Sequence, residues 1–221
     1  MRITKIERTG TLAWSPNATL LAVGTAAGAL DASFSSQTSL EIFNLSLEGV
    51  RPELKLTASV PSAARYNRLS WGVGGGEMGI VAGGREDGKV EIWDIATMTE
   101  GSKQPAFITT SQSHSGPVRG VNFNPIHTHL LATGSTDGEI SIWDINNPSV
   151  PTSPGHRSQK MDDVTVLQWN KQVPHILATG SSNGYTVIWD LRTKKELLKL
   201  SNNGKRIVTS LAWSPTLVFI I

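Results

Sequence analysis

HSGPVRGVNFNPIHTHLLATGSTDGEISIWD, residues 114–144, holds three short runs of alternating apolar residues, each bounded by turn formers. GVNF (120–123) is followed by Asn124 and Pro125. LLATGS (130–135) runs into Thr136, Asp137 and Gly138. EISIWD (139–144) closes the stretch. A period of two, punctuated by Gly, Pro, Asn and Asp, predicts β-strands rather than helix. The stretch therefore predicts a three-strand antiparallel meander, opened by His114.

The same meander recurs along the chain. Second strands read LLAVGT (20–25), GIVAGG (79–84), LLATGS (130–135) and ILATGS (176–181). Third strands read LEIFNL (40–45), VEIWDI (90–95), ISIWDI (140–145) and TVIWDL (186–191). The third-strand aromatics Phe43, Trp93, Trp143 and Trp189 lie 50, 50 and 46 residues apart. That is slightly above the ~40–45-residue period of a WD40 blade, which ends in the same Trp-Asp pair. A fourth strand is expected at 53–60, 106–111 and 196–201. After the third copy the matching segment, NNPSVPTSPG, is too rich in proline for a central strand and reads as loop or edge. The fold class is all-β: a WD40 β-propeller with about four complete blades and the first strand of a fifth. The blades are expected at about 9–60, 66–112, 114–155 and 160–202, with the fifth opening at 206–221.

All seven tryptophans fall at repeat positions. Trp14, Trp71, Trp169 and Trp213, with Phe123, belong to first strands; Trp93, Trp143 and Trp189 belong to third strands. They are read as blade-core aromatics, because burial of an indole is among the largest hydrophobic gains open to a strand.

The chain has 221 residues, no cysteine and a formal charge of +2. Zero cysteine excludes disulfides and thiolate metal sites and fits a reducing compartment. The small, mixed charge does not point to nucleic acid. MRITKIERTG has no apolar segment of the signal-peptide kind, and the longest apolar run, LVFII (217–221), is far short of a membrane span. Residues 2–8 are expected to join the last blade and clasp a closed ring. Residues 26–39 form a long insertion in the first copy, a place where a rigid scaffold carries recognition.

Copy three has the full set for an internal hydrogen-bond network: His114, Thr133, Asp137 and Trp143. Asp137 is expected to accept from the imidazole, the imidazole to meet the Thr133 hydroxyl, and the hydroxyl to accept from the indole. The trio superficially resembles a hydrolase triad, but its repeat context makes it structural, so no catalytic residue, cofactor or metal site is assigned. Copy two has Asp87 and Trp93 but Ala82 in place of the threonine. Copy four keeps Thr179 and Trp189, with Asn183 for the aspartate and Lys160 for the histidine. Gly74, Gly76 and Gly79 match G-x-G-x-x-G, but a strand follows them where a nucleotide loop needs a helix. His127 and His129 have no third ligand nearby in sequence.

Beyond the repeat pattern, several stretches carry a specific resemblance: LLAVGTAAGALDASFSSQTSLEIF (20–43), IVAGGREDG (80–88), HSGPVRGVNFNP (114–125), IWDINNPSVPTSPG (142–155) and DDVTVLQWNKQVPHILATGSSNGYTVIWDLR (162–192). The chain resembles the N-terminal propeller of the larger outer-coat subunit of COPII vesicles (the Sec thirty-one type). The resemblance implies a structural protein of the cage around vesicles leaving the endoplasmic reticulum for the Golgi. It implies propeller contacts at cage vertices, a peripheral place on the cytoplasmic side of the membrane, and other coat subunits as partners. In that family a small propeller partner, an inner coat and a small GTPase are engaged through regions outside the stretch matched here. Seven blades are the family pattern, so four copies and one strand read as a truncated portion, expected to be marginal or insoluble alone because a blade face is left open. A general WD40 protein-interaction adaptor, or a non-functional fragment, is the competing reading of the same fold.

Overall fold

The computed structural model describes residues 9–26, 37–46, 53–100, 107–112, 114–156, 162–201 and 206–214. The core of the first-copy insertion (27–36), the N-terminal segment 2–8, Lys160 and residues 215–221 lie outside the described residues.

Among the described residues, four antiparallel sheets follow one another along the chain. The first is β1 (Gly10–Trp14), β2 (Leu20–Thr25), β3 (Thr38–Ser46) and β4 (Glu53–Ser62). The second is β5 (Tyr66–Gly72), β6 (Ile80–Arg85), β7 (Lys89–Asp94) and β8 (Phe107–Gln112). The third has three strands, β9 (Gly120–Phe123), β10 (Leu130–Gly134) and β11 (Ile140–Asp144). The fourth is β12 (Val164–Trp169), β13 (Ile176–Ser181), β14 (Tyr185–Asp190) and β15 (Lys195–Ser201). Within each sheet, strands lie in sequence order, as hairpin-connected neighbours do. No helix among the described residues is long and apolar enough to cross a membrane.

The strand register explains the spacing of the aromatics. Trp71 pairs with Val81, and Val81 with Trp93. Phe123, Leu131 and Trp143 form the same row in the third sheet, as do Trp169, Leu177 and Trp189 in the fourth. Side chains alternate across a strand, so each row faces one side and the residues between face the other. The row always faces the preceding sheet. Trp71, Val81 and Trp93 pack with Leu20, Ala22, Leu40 and Ile42. Phe123, Leu131 and Trp143 pack with Ile80, Ala82 and Ile92. Trp169, Leu177 and Trp189 pack with Ala132, Ile140 and Ile142. Trp213 packs with Ile176, Ala178 and Ile188 in the same manner. Burial of one indole supplies roughly 4–6 kcal/mol of transfer free energy.

Trp14 is the exception to the blade-core assignment. It forms the row with Leu21 and Phe43, yet it is 55 % exposed, beside Leu12 at 56 %. Its sheet is the first, and among the described residues no preceding sheet covers its face. Trp93 is only partly buried; the other aromatics of the rows are buried.

A second departure from the all-strand expectation is α1 (Ile95–Thr99) between β7 and β8. Asp94 caps it by accepting from Thr97 N at 2.8 Å, and Ile95 and Met98 are buried. An N-cap aspartate ahead of two inward apolar residues one turn apart suffices for a single turn of helix.

Tyr66 shows how closely the sheets meet. It is fully buried and occupies the first-strand position held by Val118 and Val164 in the next two sheets. A Cβ on Gly24 would approach its ring to 2.8 Å, and one on Gly83 to 2.5 Å. Two glycines, one from each sheet, thus make the slot for the ring. Gly83→Ala is expected to destabilise the fold by about 1–3 kcal/mol, read as a lowered urea midpoint relative to the unsubstituted chain.

Candidate functional site

Several of the polar groups buried in this fold are gathered into blade locks. In the third sheet, the Trp143 indole donates to Thr133 Oγ1 at 2.8 Å, and His114 Nε2 lies 2.7 Å from the same oxygen. His114 Nδ1 faces Glu139 Oε2 at 3.4 Å. A carboxylate only accepts, so Nδ1 carries the proton; Nε2 then accepts from the threonine hydroxyl. Donation runs one way, from indole to hydroxyl to imidazole to carboxylate. Sequence spacing assigns the acid to Asp137; the structure gives it to Glu139. Asp137 instead sits in the tight turn with a left-handed φ of 51°, a conformation that aspartate tolerates better than most residues. Glu139 follows that turn, and it also accepts from Ser115 N at 2.9 Å. His114 and Thr133 are buried and engaged with each other, an arrangement that ties β10, β11 and the incoming chain together and presents no nucleophile.

The other sheets solve the same problem with different chemistry. In the fourth, the Trp189 indole donates to Thr179 Oγ1 at 2.9 Å. In the first, Val23 and Phe43 stand at the threonine and tryptophan positions, so the lock is apolar. The second holds a buried ionic lock that sequence reasoning missed. Arg85 is 3 % exposed; it donates to Asp87 through Nε and Nη2 (3.1 and 2.6 Å) and to Glu91 through Nη1. Tyr66 donates its phenol proton to Glu91 at 2.5 Å. Burial acts against the Arg85 charge, but Glu91 and Asp87 outweigh it and hold the guanidinium more basic than usual. Burial first, then the charge of Glu91, pushes the Tyr66 phenol well above its ordinary range. A signal was present in the sequence: REDGKVE places Arg85, Asp87 and Glu91 on one hairpin, in the copy that lacks the threonine and the histidine.

The aspartate of each Trp-Asp pair caps the turn that follows. Asp94 accepts from Thr97 N, Asp144 from Asn146 N at 3.0 Å, and Asp190 from Arg192 N at 2.9 Å and Thr193 N at 3.3 Å. Desolvation would raise the Asp190 carboxyl, but these backbone donors and Arg192 outweigh it and hold it below its ordinary value.

A second set of bonds runs between sheets. The residue before each first-strand aromatic receives the next sheet: Phe123 N donates to Ser70 Oγ, Trp169 N to Asn122 Oδ1, the Trp169 indole to Asn122 O, and the Trp213 indole to Gln168 O. Asn124 reaches forward as well, donating to Pro174 O at 2.7 Å.

The remaining sequence candidates stay apart from any site. Gly74, Gly76 and Gly79 precede β6, a strand. His127 and His129 stack at 5.9 Å, and among the described residues no three His, Asp or Glu side chains gather as a metal site.

Successive antiparallel sheets, interlocked by aromatic rows and carrying Trp-Asp caps, define a WD40-type β-propeller segment. A family model described as "Nucleolar protein 10-like, N-terminal domain", a β-propeller, matches residues 101–218, and the chain belongs to that β-propeller family. Across nearly its whole length it is homologous to the N-terminal region of SEC31 proteins. It is 43 % identical over 220 residues to the protein transport protein SEC31 of Ajellomyces capsulatus, covering 97 % of this chain and 17 % of that protein. Against SEC31 of Mycosarcoma maydis the identity is 44 % over 212 residues, covering 90 % and 15 %. The chain therefore spans about a sixth of the length of these relatives. Among solved structures, one described as "COPII on membranes, outer coat vertex" superposes with a TM-score of 0.74 at 32 % identity, covering 91 % of this chain and 53 % of that one.

Two outcomes follow from the third-sheet lock. Thr133→Val strands both the Trp143 indole and His114 Nε2 in the interior, and is expected to cost about 2–4 kcal/mol in urea unfolding. Burial lowers the His114 pKa below its ordinary 6.5, against the opposing pull of Glu139. The folded state then resists protonation, so this contribution is present above pH 6.5 and is lost as the pH falls through the depressed folded value. The melting temperature is expected to drop on acidification below pH 6.5, with a shallower drop in His114→Gln.

Proposed function

We propose that this chain is a scaffold segment of the COPII outer coat, acting through propeller–propeller contacts at cage vertices in transport from the endoplasmic reticulum to the Golgi. The observation that carries this reading is the likeness, over nine-tenths of the chain, to a chain at an outer-coat vertex. The SEC31 relatives point the same way. The partners are other coat subunits, and the place of action is the cytoplasmic face of exit sites and coated vesicles. The role is one of shape: no catalytic step is assigned, and His114, Thr133 and Trp143 serve the blade. Neither nucleic acid nor a cofactor is called for.

We assign the blades to about 9–60, 66–112, 114–155 and 160–202, with a fifth opening at 206. Two buried groups on the fourth sheet support the fifth. Gln168 Oε1 and Asn170 Nδ2 have no hydrogen-bond partner among the described residues. Their counterparts one blade earlier are Asn122, which accepts from Trp169 N, and Asn124, which donates to Pro174 O. The matching N–H is that of Trp213, and a carbonyl of the fifth blade would match Pro174 O.

An antibody against residues 156–170 tests the reading on the endogenous protein. Immunoprecipitation with mass spectrometry is expected to recover inner- and outer-coat subunits. A precipitate free of coat subunits, carrying for instance a ubiquitin ligase and its substrates, would make the chain a general adaptor instead.

A further inference from the structure

Three turns meet at one end of the second, third and fourth blades: 73–79 after β5, 124–129 after β9 and 170–175 after β12. They form one continuous surface. A Cβ on Gly74 would lie 3.2 Å from Thr128 O, and Asn124 Nδ2 donates to Pro174 O at 2.7 Å. The connections after the third strands lie on the same end, because Ile95 N donates to Gly79 O, Ile145 N to His129 O and Leu191 N to His175 O. Charge is divided across this end. The second blade places Glu77 and Glu100 there, both exposed, besides the capping Asp94. The fourth places Lys171, Arg192, Lys194 and Lys195, all exposed. Arg192 lies 3.5 Å from Asp190. The three lysines and two glutamates have no ion pair among the described residues. Glu48, Arg51 and Lys103 fall outside the described residues. Between the two charged blades the third exposes Ile126 and Val150, beside Val73 and Met78 of the second. In the loops of the opposite end Ile207 is the only large apolar side chain so exposed, among the described residues.

We infer that this end pairs with the same end of a second copy of the chain, about a two-fold axis lying along the third blade. A two-fold contact sets one patch against itself. With the axis along the third blade, the second blade of each copy faces the fourth blade of the other. Glu77 and Glu100 then meet Lys171, Lys194 and Lys195, and the contact is made twice. An axis along the second or the fourth blade would set like charges against each other, which costs affinity. The third blade meets itself through Ile126, so apolar side chains lie within a charged rim, as in other protein interfaces. Its own polar groups on this end are already engaged: Asp144 caps Asn146 N, and His127 stacks on His129. Opposed exposed charges fix register and partner more than they add affinity, so the contact is weak singly and sensitive to salt. The inference rests on the scaffold reading above and gives one of its propeller contacts a face and a partner.

The test co-expresses two copies of the full chain, each fused to one half of a split luciferase. The unsubstituted pair is expected to give luminescence well above that of either copy with an unrelated β-propeller. Glu77→Lys with Glu100→Lys in both copies is expected to lower it about fivefold or more, as is Lys171→Glu with Lys194→Glu in both. The decisive pairing joins one variant of each kind. Acid again faces base at both contacts, and the signal is expected to return to within about twofold of the unsubstituted pair. Ile126→Asp changes one exposed side chain, sets like charges at the axis, and is expected to lower the signal to a similar extent. The inference is overturned if the unsubstituted pair gives no signal, or if the mixed pair is not restored. It is also overturned if the reversals change nothing, as association through open blade faces would have it. Recovery of coat subunits by the antibody to residues 156–170 does not draw on these charges, so it separates failure of this pairing from failure of the scaffold reading.

Discussion

Everything in this fold depends on the packing of one sheet's aromatic row against the inward face of the sheet before it. A four-stranded antiparallel sheet has two faces and cannot bury either alone. Here the alternation of the strand divides the work. Trp169, Leu177 and Trp189 reach backward, while Ile176, Ala178 and Ile188 reach forward to Trp213. Each blade is thus both guest and host, and stability accumulates by nearest-neighbour contacts. The hydrogen bonds between first strands, from Phe123 to Ser70 and from Trp169 to Asn122, fix the register in which a guest sheet arrives.

This dependence explains which parts of the fold were legible in sequence. The aromatics and the Gly-containing second strands recur in the same order in every copy, so strand order and blade succession could be read directly. Trp14 could not be placed by the same rule, because its environment is decided by a neighbouring sheet and not by its own. The rim of the third blade was legible through Pro148, Pro151 and Pro154, since a residue without an N–H cannot serve a central ladder. The single turn of α1 was not, because IATMT is too short to display a helical period.

The locks were legible only in part, for a geometric reason. The order of donation from indole to hydroxyl to imidazole to carboxylate follows from residue types alone. Which carboxylate ends it depends on how the β10–β11 turn is wound, and the left-handed Asp137 carries the chain on to Glu139. The ionic lock of the second blade was hidden because Tyr66, Arg85 and Glu91 belong to three different strands and to no repeat consensus. The strand register puts Gly83, not Ala82, at the lock position of the second blade; it has no hydroxyl, and the blade is held instead by charge, where loss of one partner would strand another.

Variation among the blades therefore falls into two kinds. Apolar, hydroxyl and ionic locks are different means to one end, since each ties together the strands of its own sheet. Differences at the rim are of another kind, because the rim is not needed for stacking. The third blade keeps its aromatic row, its lock and its contacts with both neighbours, with no fourth strand among the described residues. A scaffold built from face-to-face contacts leaves its outer edges free to change without loss of the stacking. The proline-rich crossing from Pro148 to Gly155 is a change of that sort, with the inner blade left intact.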